Sequence, residues 1–267
     1  MSAVGKPKIV LLGQKDPNKE VELSRDEGPF ESWLAVAQDM WGMGNLTPFD
    51  HVFASRAIGT IVPTQGGNFG CVCYQLGARL FSFSREAGIW IDTFEGEPAL
   101  STMEKRPKKD KIKLATWKPG TGQLGNNRLT HCAILSPSKL TGSPQGFALE
   151  AAKALKKDGQ LFVADVMCGP KGQPAADRRL VEDWKKWLTE AGLKFYSEID
   201  LTADVRSSLL RGLNNSVNMA ANVRHLQEPW RGQRFKAFEK ELEQVVVLHT
   251  AFERGFATAA GLYFTKP

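Results

Sequence analysis

Few side chains in this chain combine a reactive type with a telling spacing, and the first is a carboxylate. In Phe94-Glu95-Gly96-Glu97-Pro98 an acid closes the apolar run Ile89–Glu95. One carboxylate has lone pairs enough to accept from both hydroxyls of a diol; the other reading is a solvated acid at a strand end. His131 opens another apolar run, HCAILS. An imidazole there is either a general base near neutral pH or a packed ring. His225 and His249 fall in helical segments far apart, and no H-x-x-x-H or carboxylate–histidine cluster occurs, so no metal site is expected. The polar loops Pro137–Gly142 and Met167–Asp177 carry no nucleophile with a base at recognisable spacing. Cys71, Cys73, Cys132 and Cys168 form no C-x-x-C. All but Cys168 lie in apolar, strand-like contexts and read as buried thiols.

The elements that would position these groups follow from apolar periodicity. A helix from about Gly146 carries Leu149, Ala152 and Leu155 on one face and ends at Lys156-Lys157-Asp158-Gly159. The run Leu161–Asp165 reads as a buried strand. A second helix presents Leu180, Trp184, Trp187 and Leu188 and stops at Gly192, and a strand Phe195–Ile199 follows. Helix, glycine, strand, repeated at these lengths, predicts a parallel α/β sheet. Such sheets bind ligands at the carboxyl ends of their strands. Working outwards, strands are expected at Phe69–Cys73, Ile89–Glu95, Ile112–Trp117, His131–Ser136 and Ala259–Thr265. Leu201–Arg224 reads as an amphipathic helix interrupted near Gly212–Asn215. Gly232 to about Gly255 reads as a long helix with Phe235, Phe238, Leu242, Val245, Val246 and Phe252 on its apolar side.

Towards the N-terminus, KIVLLG (Lys8–Gly13) is strand-like but no Gly-rich turn follows it, and Gln14–Gly28 reads as an exposed arm. Phe30, Trp33, Leu34, Ala37 and Met40 recur at helical spacing, and a second helix is expected from Pro48 to Ile61 with Thr47 as N-cap.

Composition bounds the function class. The 267 residues are 42% hydrophobic and 24% charged, ordinary for a globular protein. No run reaches the length of a membrane span, and the N-terminus has no secretory pattern, so no membrane partner and a cytoplasmic location are expected. The net charge of +6 permits an anionic partner. Its sharpest cluster, Ser101–Lys113, holds six basic residues, Lys105 to Lys113, against two acidic ones, with no aromatic interleaving. It reads as a solvated loop between strands, and nucleic acid is not expected.

Two stretches carry a family resemblance. Leu155-Lys156-Lys157-Asp158-Gly159-Gln160-Leu161 and Trp187-Leu188-Thr189-Glu190-Ala191-Gly192-Leu193 resemble the segments that feed the fifth and sixth strands of class I S-adenosylmethionine-dependent methyltransferases. The resemblance extends more weakly from about Asn68 to the C-terminus. It implies a Rossmann-like sheet of about seven strands with an antiparallel last strand, spanning residues 68–267. It also implies an N-terminal arm and helical cap over residues 1–67, lying over the carboxyl edge of the sheet.

The resemblance further implies a cofactor site. Glu95, with Pro98 behind it, corresponds to the acid that binds the ribose of S-adenosylmethionine. Gly77 corresponds to the one usable glycine of the cofactor loop, and Trp117 lies where an adenine would stack. Here the sequence departs from the pattern. Tyr74, Gln75 and Leu76 stand where small residues belong, and no carboxylate ends the first strand. A Cβ where bare backbone is needed is a steric objection to tight cofactor binding. At the fourth strand the family's usual Asp is replaced by His131. Two functions are therefore open: methyl transfer from S-adenosylmethionine, bound weakly or lost, to a small molecule or protein; or an inactive pseudo-methyltransferase acting as a binding or scaffold module.

Overall fold

The computed structural model describes residues 29–42, 45–61, 67–73, 90–95, 112–140, 142–174, 179–224 and 230–267. A 7-stranded sheet forms its centre: β1 (Asn68–Cys73), β2 (Trp90–Glu95), β3 (Ile112–Thr116), β4 (Leu129–Leu135), β5 (Leu155–Cys168), β6 (Lys194–Asp200) and β7 (Ala257–Thr265). The strand order is β3-β2-β1-β4-β5-β7-β6. Strands β1 to β5 run parallel, and β7 lies antiparallel between β5 and β6. This is the sheet expected from the sequence, with its antiparallel last strand. β5 is longer than its apolar run suggested, because Lys156, Lys157 and Asp158 bulge out before the eight buried residues Leu161–Cys168. Asp158 takes φ 61° there. A strand buried on both faces reads as continuous apolar sequence, which is why β5 was legible.

The helices are α1 (Pro29–Trp41), α2 (Asp50–Thr60), α3 (Pro144–Ala154), α4 (Val181–Glu190), α5 (Thr202–Arg224) and α6 (Trp230–Glu253). α3 and α4 cover one face of the sheet, against Val72, Cys132, Ile134, Leu161, Val163 and Leu262. α4 buries Trp184 and Leu188 as its periodicity predicts. α3 buries Phe147, Ala148, Ala151 and Ala152, and leaves Leu149 exposed, contrary to expectation. The other face takes Cys71, Cys73, Ile91, Ala133, Leu135, Phe162 and Ala164, packed under α2, α5 and α6. α2 meets β4, β5 and β7 directly, and α1 rests on α5 and α6. Val36, Met40 and Phe53 therefore share one core with the sheet.

Three local expectations are corrected. Thr47 does not cap α2; its hydroxyl donates to the Asp50 carboxylate, and the helix starts at Asp50. α5 runs unbroken through Gly212–Asn215. A Cβ on Gly212 would strike the Trp41 ring, so the glycine admits a helix contact rather than ending a helix, while Asn215 Nδ2 donates to Met40 O at 3.0 Å. On α6 the buried face is Arg234, Phe238, Glu241, Val245 and Phe252, whereas Phe235 and Val246 are exposed. An apolar-only reading set that face wrongly, because two of its positions are charged. Cys168 is buried like the other three cysteines, all of them thiols, and burial pushes the Cys132 thiol pKa upward.

Candidate functional site

The order β3-β2-β1-β4-β5 reverses direction between β1 and β4, and a parallel sheet opens a crevice at the carboxyl ends of such a pair. One row of residues marks that edge: Thr116, Glu95, Cys73, Leu135 and Ala164 sit opposite one another on β3, β2, β1, β4 and β5. Glu95 is thus the last residue of β2, one strand from the switch point. β1 ends in Cys73, a buried thiol, not a carboxylate. Trp117 follows β3 and is buried, stacked on Phe147 of α3 at 5.2 Å with its edge contact to Phe94. Gly77 and Tyr74, like Gln75, Leu76 and most of the basic cluster, lie outside the described residues.

Of the two readings of His131, the structure shows the packed ring. His131 is four residues short of the carboxyl end of β4 at Leu135, about 13 Å along the strand at ~3.3 Å per residue. Its ring is buried, with Nδ1 2.8 Å from Thr130 Oγ1. The residue that leaves β4 at the crevice is Ser136, held at φ 53°, ψ 47°. Left-handed backbone costs an L-residue roughly 1–2 kcal/mol, and such strain gathers at functional sites. A short turn, Pro137–Lys139, follows.

Asp165 fastens that turn. Its carboxylate accepts from Ser138 Oγ at 2.8 Å, Ser138 N at 3.1 Å and Val166 N at 2.9 Å. Burial pushes its pKa up to about 7, against the lowering effect of those bonds and of Lys139. With its proton donated to Asp165, the Ser138 hydroxyl keeps lone pairs for another donor.

Above this edge lies a cavity of about 630 Å³. Ser138, Lys139 and Val166 line it from the sheet side, Trp33 and Leu46–Phe49 from the N-terminal helices, and Lys240, Glu241, Gln244, Val245 and Leu248 from α6. Its roof is tied down by polar contacts. Glu241 accepts from Trp33 Nε1 at 3.1 Å through one oxygen and from Trp41 Nε1 at 3.0 Å through the other. Asp50 accepts from Leu46 N at 2.7 Å and Thr47 N at 3.0 Å, which fixes the turn between α1 and α2. Burial pushes the Asp50 pKa up to about 7, outweighing its hydrogen bonds, and the nearby Glu241 charge adds to the rise.

Sequence reasoning missed Asp165, Ser138, Asp50, Glu241, Lys139 and Lys240 as site residues. Asp165 had a signal, a lone acid closing the run Leu-Phe-Val-Ala. Glu241 had none, since it lies in the charge-alternating stretch Glu239-Lys240-Glu241-Leu242-Glu243. Among the described residues no cluster of three or more His, Cys, Asp or Glu could hold a metal ion. No described helix is long and apolar enough to cross a membrane.

No protein-family model and no curated protein matches the chain. Solved structures do match its fold. Phosphoethanolamine N-methyltransferase 2 of Haemonchus contortus, solved with phosphomonomethylethanolamine and S-adenosylhomocysteine, aligns at TM-score 0.73 and 10% identity over 91% of this chain. The chain spans only 58% of that enzyme's length. The cyclopropane synthase MmaA2 of Mycobacterium tuberculosis aligns at TM-score 0.69 and 10% identity, over 88% of this chain and 94% of its own. Geranyl diphosphate C-methyltransferase of Streptomyces coelicolor A3(2) aligns at 0.54 and 12% identity, over 95% and 86%. The fold is that of the class I S-adenosylmethionine-dependent methyltransferases.

Proposed function

We propose that this chain, built on the class I methyltransferase fold, binds S-adenosylmethionine at the carboxyl ends of β1 to β3 and directs methyl transfer to a small molecule in the adjoining cavity. The observation that carries the reading is the cavity itself, which opens at the carboxyl edge beside the switch point. The solved relatives in this fold carry S-adenosylhomocysteine with small substrates, a phosphomonomethylethanolamine in one and a geranyl diphosphate in another. In this reading residues 1–67 supply the cap and 68–267 the methyltransferase-like domain.

The residues present fit the cofactor in part. Glu95, closing β2 at the edge row, offers a carboxylate for the two ribose hydroxyls. Gly77 would admit the closest backbone approach, Tyr74 would narrow the pocket, and Trp117 would bound the adenine end. Nothing at the end of β1 supplies an acid for the cofactor's ammonium group, so weak binding is the expectation. The cofactor, when bound, supplies an electrophilic methyl group. The chain's own part is to align the acceptor, which alone is worth many orders of magnitude in rate. Ser138 Oγ, donating to Asp165, is placed to accept a hydrogen bond from an acceptor N–H or O–H at the cavity wall. The loop from Ser136 to Lys139 and the roof through Glu241 hold that wall in place.

The cysteine at the end of β1, with bulky residues after it, favours the second reading, a binding module that has lost the cofactor. Calorimetric titration with S-adenosylhomocysteine separates the two. Binding by the wild type, reduced tenfold to hundredfold in Glu95→Ala, is expected for a charged hydrogen-bond partner worth about 1.5–3 kcal/mol. Absence of binding at millimolar ligand sinks the enzyme reading, and equal binding by Glu95→Ala sinks the ribose assignment.

A further inference from the structure

The cavity wall has a charge pattern that bears on what it holds. Two lysines reach it from different elements, Lys139 from the turn after β4 and Lys240 from α6. Neither forms an ion pair among the described residues, whereas Lys185, Arg56 and Arg206 on the outer surface each do. The one carboxylate on the lining, Glu241, has both oxygens engaged by the indole N–H groups of Trp33 and Trp41. The Thr47 hydroxyl is likewise committed, to Asp50. Asp165, whose pKa Lys139 pulls downward, stands behind Ser138 with both of its oxygens occupied. Apart from Ser138 and Gln244, the remaining wall is apolar: Trp33, Leu46, Phe49, Val166, Val245 and Leu248. A cationic ligand would meet two ammonium groups against a single carboxylate, each of whose oxygens already accepts from an indole N–H. A fully apolar one would cover both lysines without offering either an ion-pair partner. A ligand with an apolar body and an anionic end satisfies both parts of the wall.

We infer that the molecule taken into this cavity is a small amphiphile, an apolar body ending in a phosphate or carboxylate that Lys139 and Lys240 hold. The inference rests on reading the cavity as the substrate site, and it does not depend on the cofactor. The cavity of about 630 Å³ accommodates a chain of eight carbons with its head group.

The test is calorimetric titration of the full chain with octyl phosphate, octanoate, octan-1-ol and octylammonium, each below its aggregation threshold. The two anions are expected to bind at least tenfold more tightly than the alcohol, and the ammonium not at all. Lys139→Ala combined with Lys240→Ala should bring the anions down to the affinity of the alcohol, and Lys240→Glu should lose them. Lys186→Ala, an exposed lysine on α4, should change nothing, which separates the site from the general positive charge of the protein. Leu248→Trp, filling the cavity, should remove binding of anion and alcohol alike. An alcohol that binds as tightly as the anions, or anion binding that survives the double variant, overturns the inference while leaving the cavity as a site. Failure of all four octyl compounds overturns the cavity reading with it.

Discussion

The two faces of the sheet are built on different terms. Under α3 and α4 the contact is apolar apart from Asp165 at the end of the sheet, with Trp184, Leu188, Phe147 and a row of alanines set against Ile134, Leu161, Val163 and Leu262. Under α1, α2, α5 and α6 the apolar core is interleaved with buried Ser32, Thr47, Asp50, Ser216, Arg234 and Glu241. Each buried polar group costs free energy unless it is hydrogen-bonded, and here the bonds that satisfy Asp50 and Glu241 also shape the cavity roof. The first face supports the sheet. The second spends stability on holding a site open. The same contrast appears along the carboxyl edge, where Trp117 fills space against Phe147 but Ser136 is held in strained backbone beside the cavity.

Substitutions on the two faces should therefore fail differently. Trp184→Ala should have the largest effect, a loss of about 3–5 kcal/mol from the cavity it leaves. Denaturant unfolding reads the loss, and octyl phosphate affinity of the molecules still folded should not move. A parallel loss of affinity would show that the faces are not independent.

Next comes pH. Asp50 and Asp165 both have folded pKa values raised to about 7. Between an unfolded value of about 3.9 and that folded value the native state binds the more protons, so these groups make stability fall as pH rises across the window, levelling off above about 7. Three pKa units correspond to roughly 4 kcal/mol per group at most. Asp50→Asn keeps an oxygen for Leu46 N and Thr47 N and has no proton to lose. Its stability relative to the wild type should grow from pH 4 to pH 8. A difference that shrinks over that range contradicts the burial of a protonated Asp50.

Glu241→Ala should cost about 1–3 kcal/mol, since it strands two indole N–H groups. Unlike Trp184→Ala it should also weaken octyl phosphate binding, because the roof loses its tie. Glu241→Gln, retaining one acceptor, should fall between the wild type and Glu241→Ala on both readouts.

These contrasts follow what was legible in the sequence. The strands and the buried side of α4 were readable because apolar periodicity reports apolar burial, as at Leu161–Val163 and at Trp184 with Leu188, whereas the antiparallel last strand came from the family resemblance. Glu95 was placed at a strand end from the same signal, and the structure puts it on the edge row. The other face resisted reading because its helices bury charge. Nothing in the sequence around Glu241 says that Trp33 and Trp41, some two hundred residues earlier, will donate to it. Gly212 looked like a helix interruption because a glycine's local weakness is visible, while the tryptophan ring that needs its missing Cβ is not. For His131 the sequence left a general base and a packed ring open, and its place near the start of β4 decides for the packed ring.

The smallest effect should come from Ser136→Gly. Relieving left-handed backbone should raise stability by about 1 kcal/mol, measured as an increased denaturation midpoint. A loss of stability would mean that the serine side chain, not the backbone, is what the position requires.

The proposed division of the carboxyl edge into a cofactor side at β1–β3 and a substrate side at β4–β5 is tested most directly by a ternary titration. Octyl phosphate is titrated calorimetrically into the full chain, with and without saturating S-adenosylhomocysteine. Two adjoining sites predict that the amphiphile binds in both cases, with unchanged or higher affinity when the nucleoside is present. Mutual exclusion of the two ligands would contradict that division.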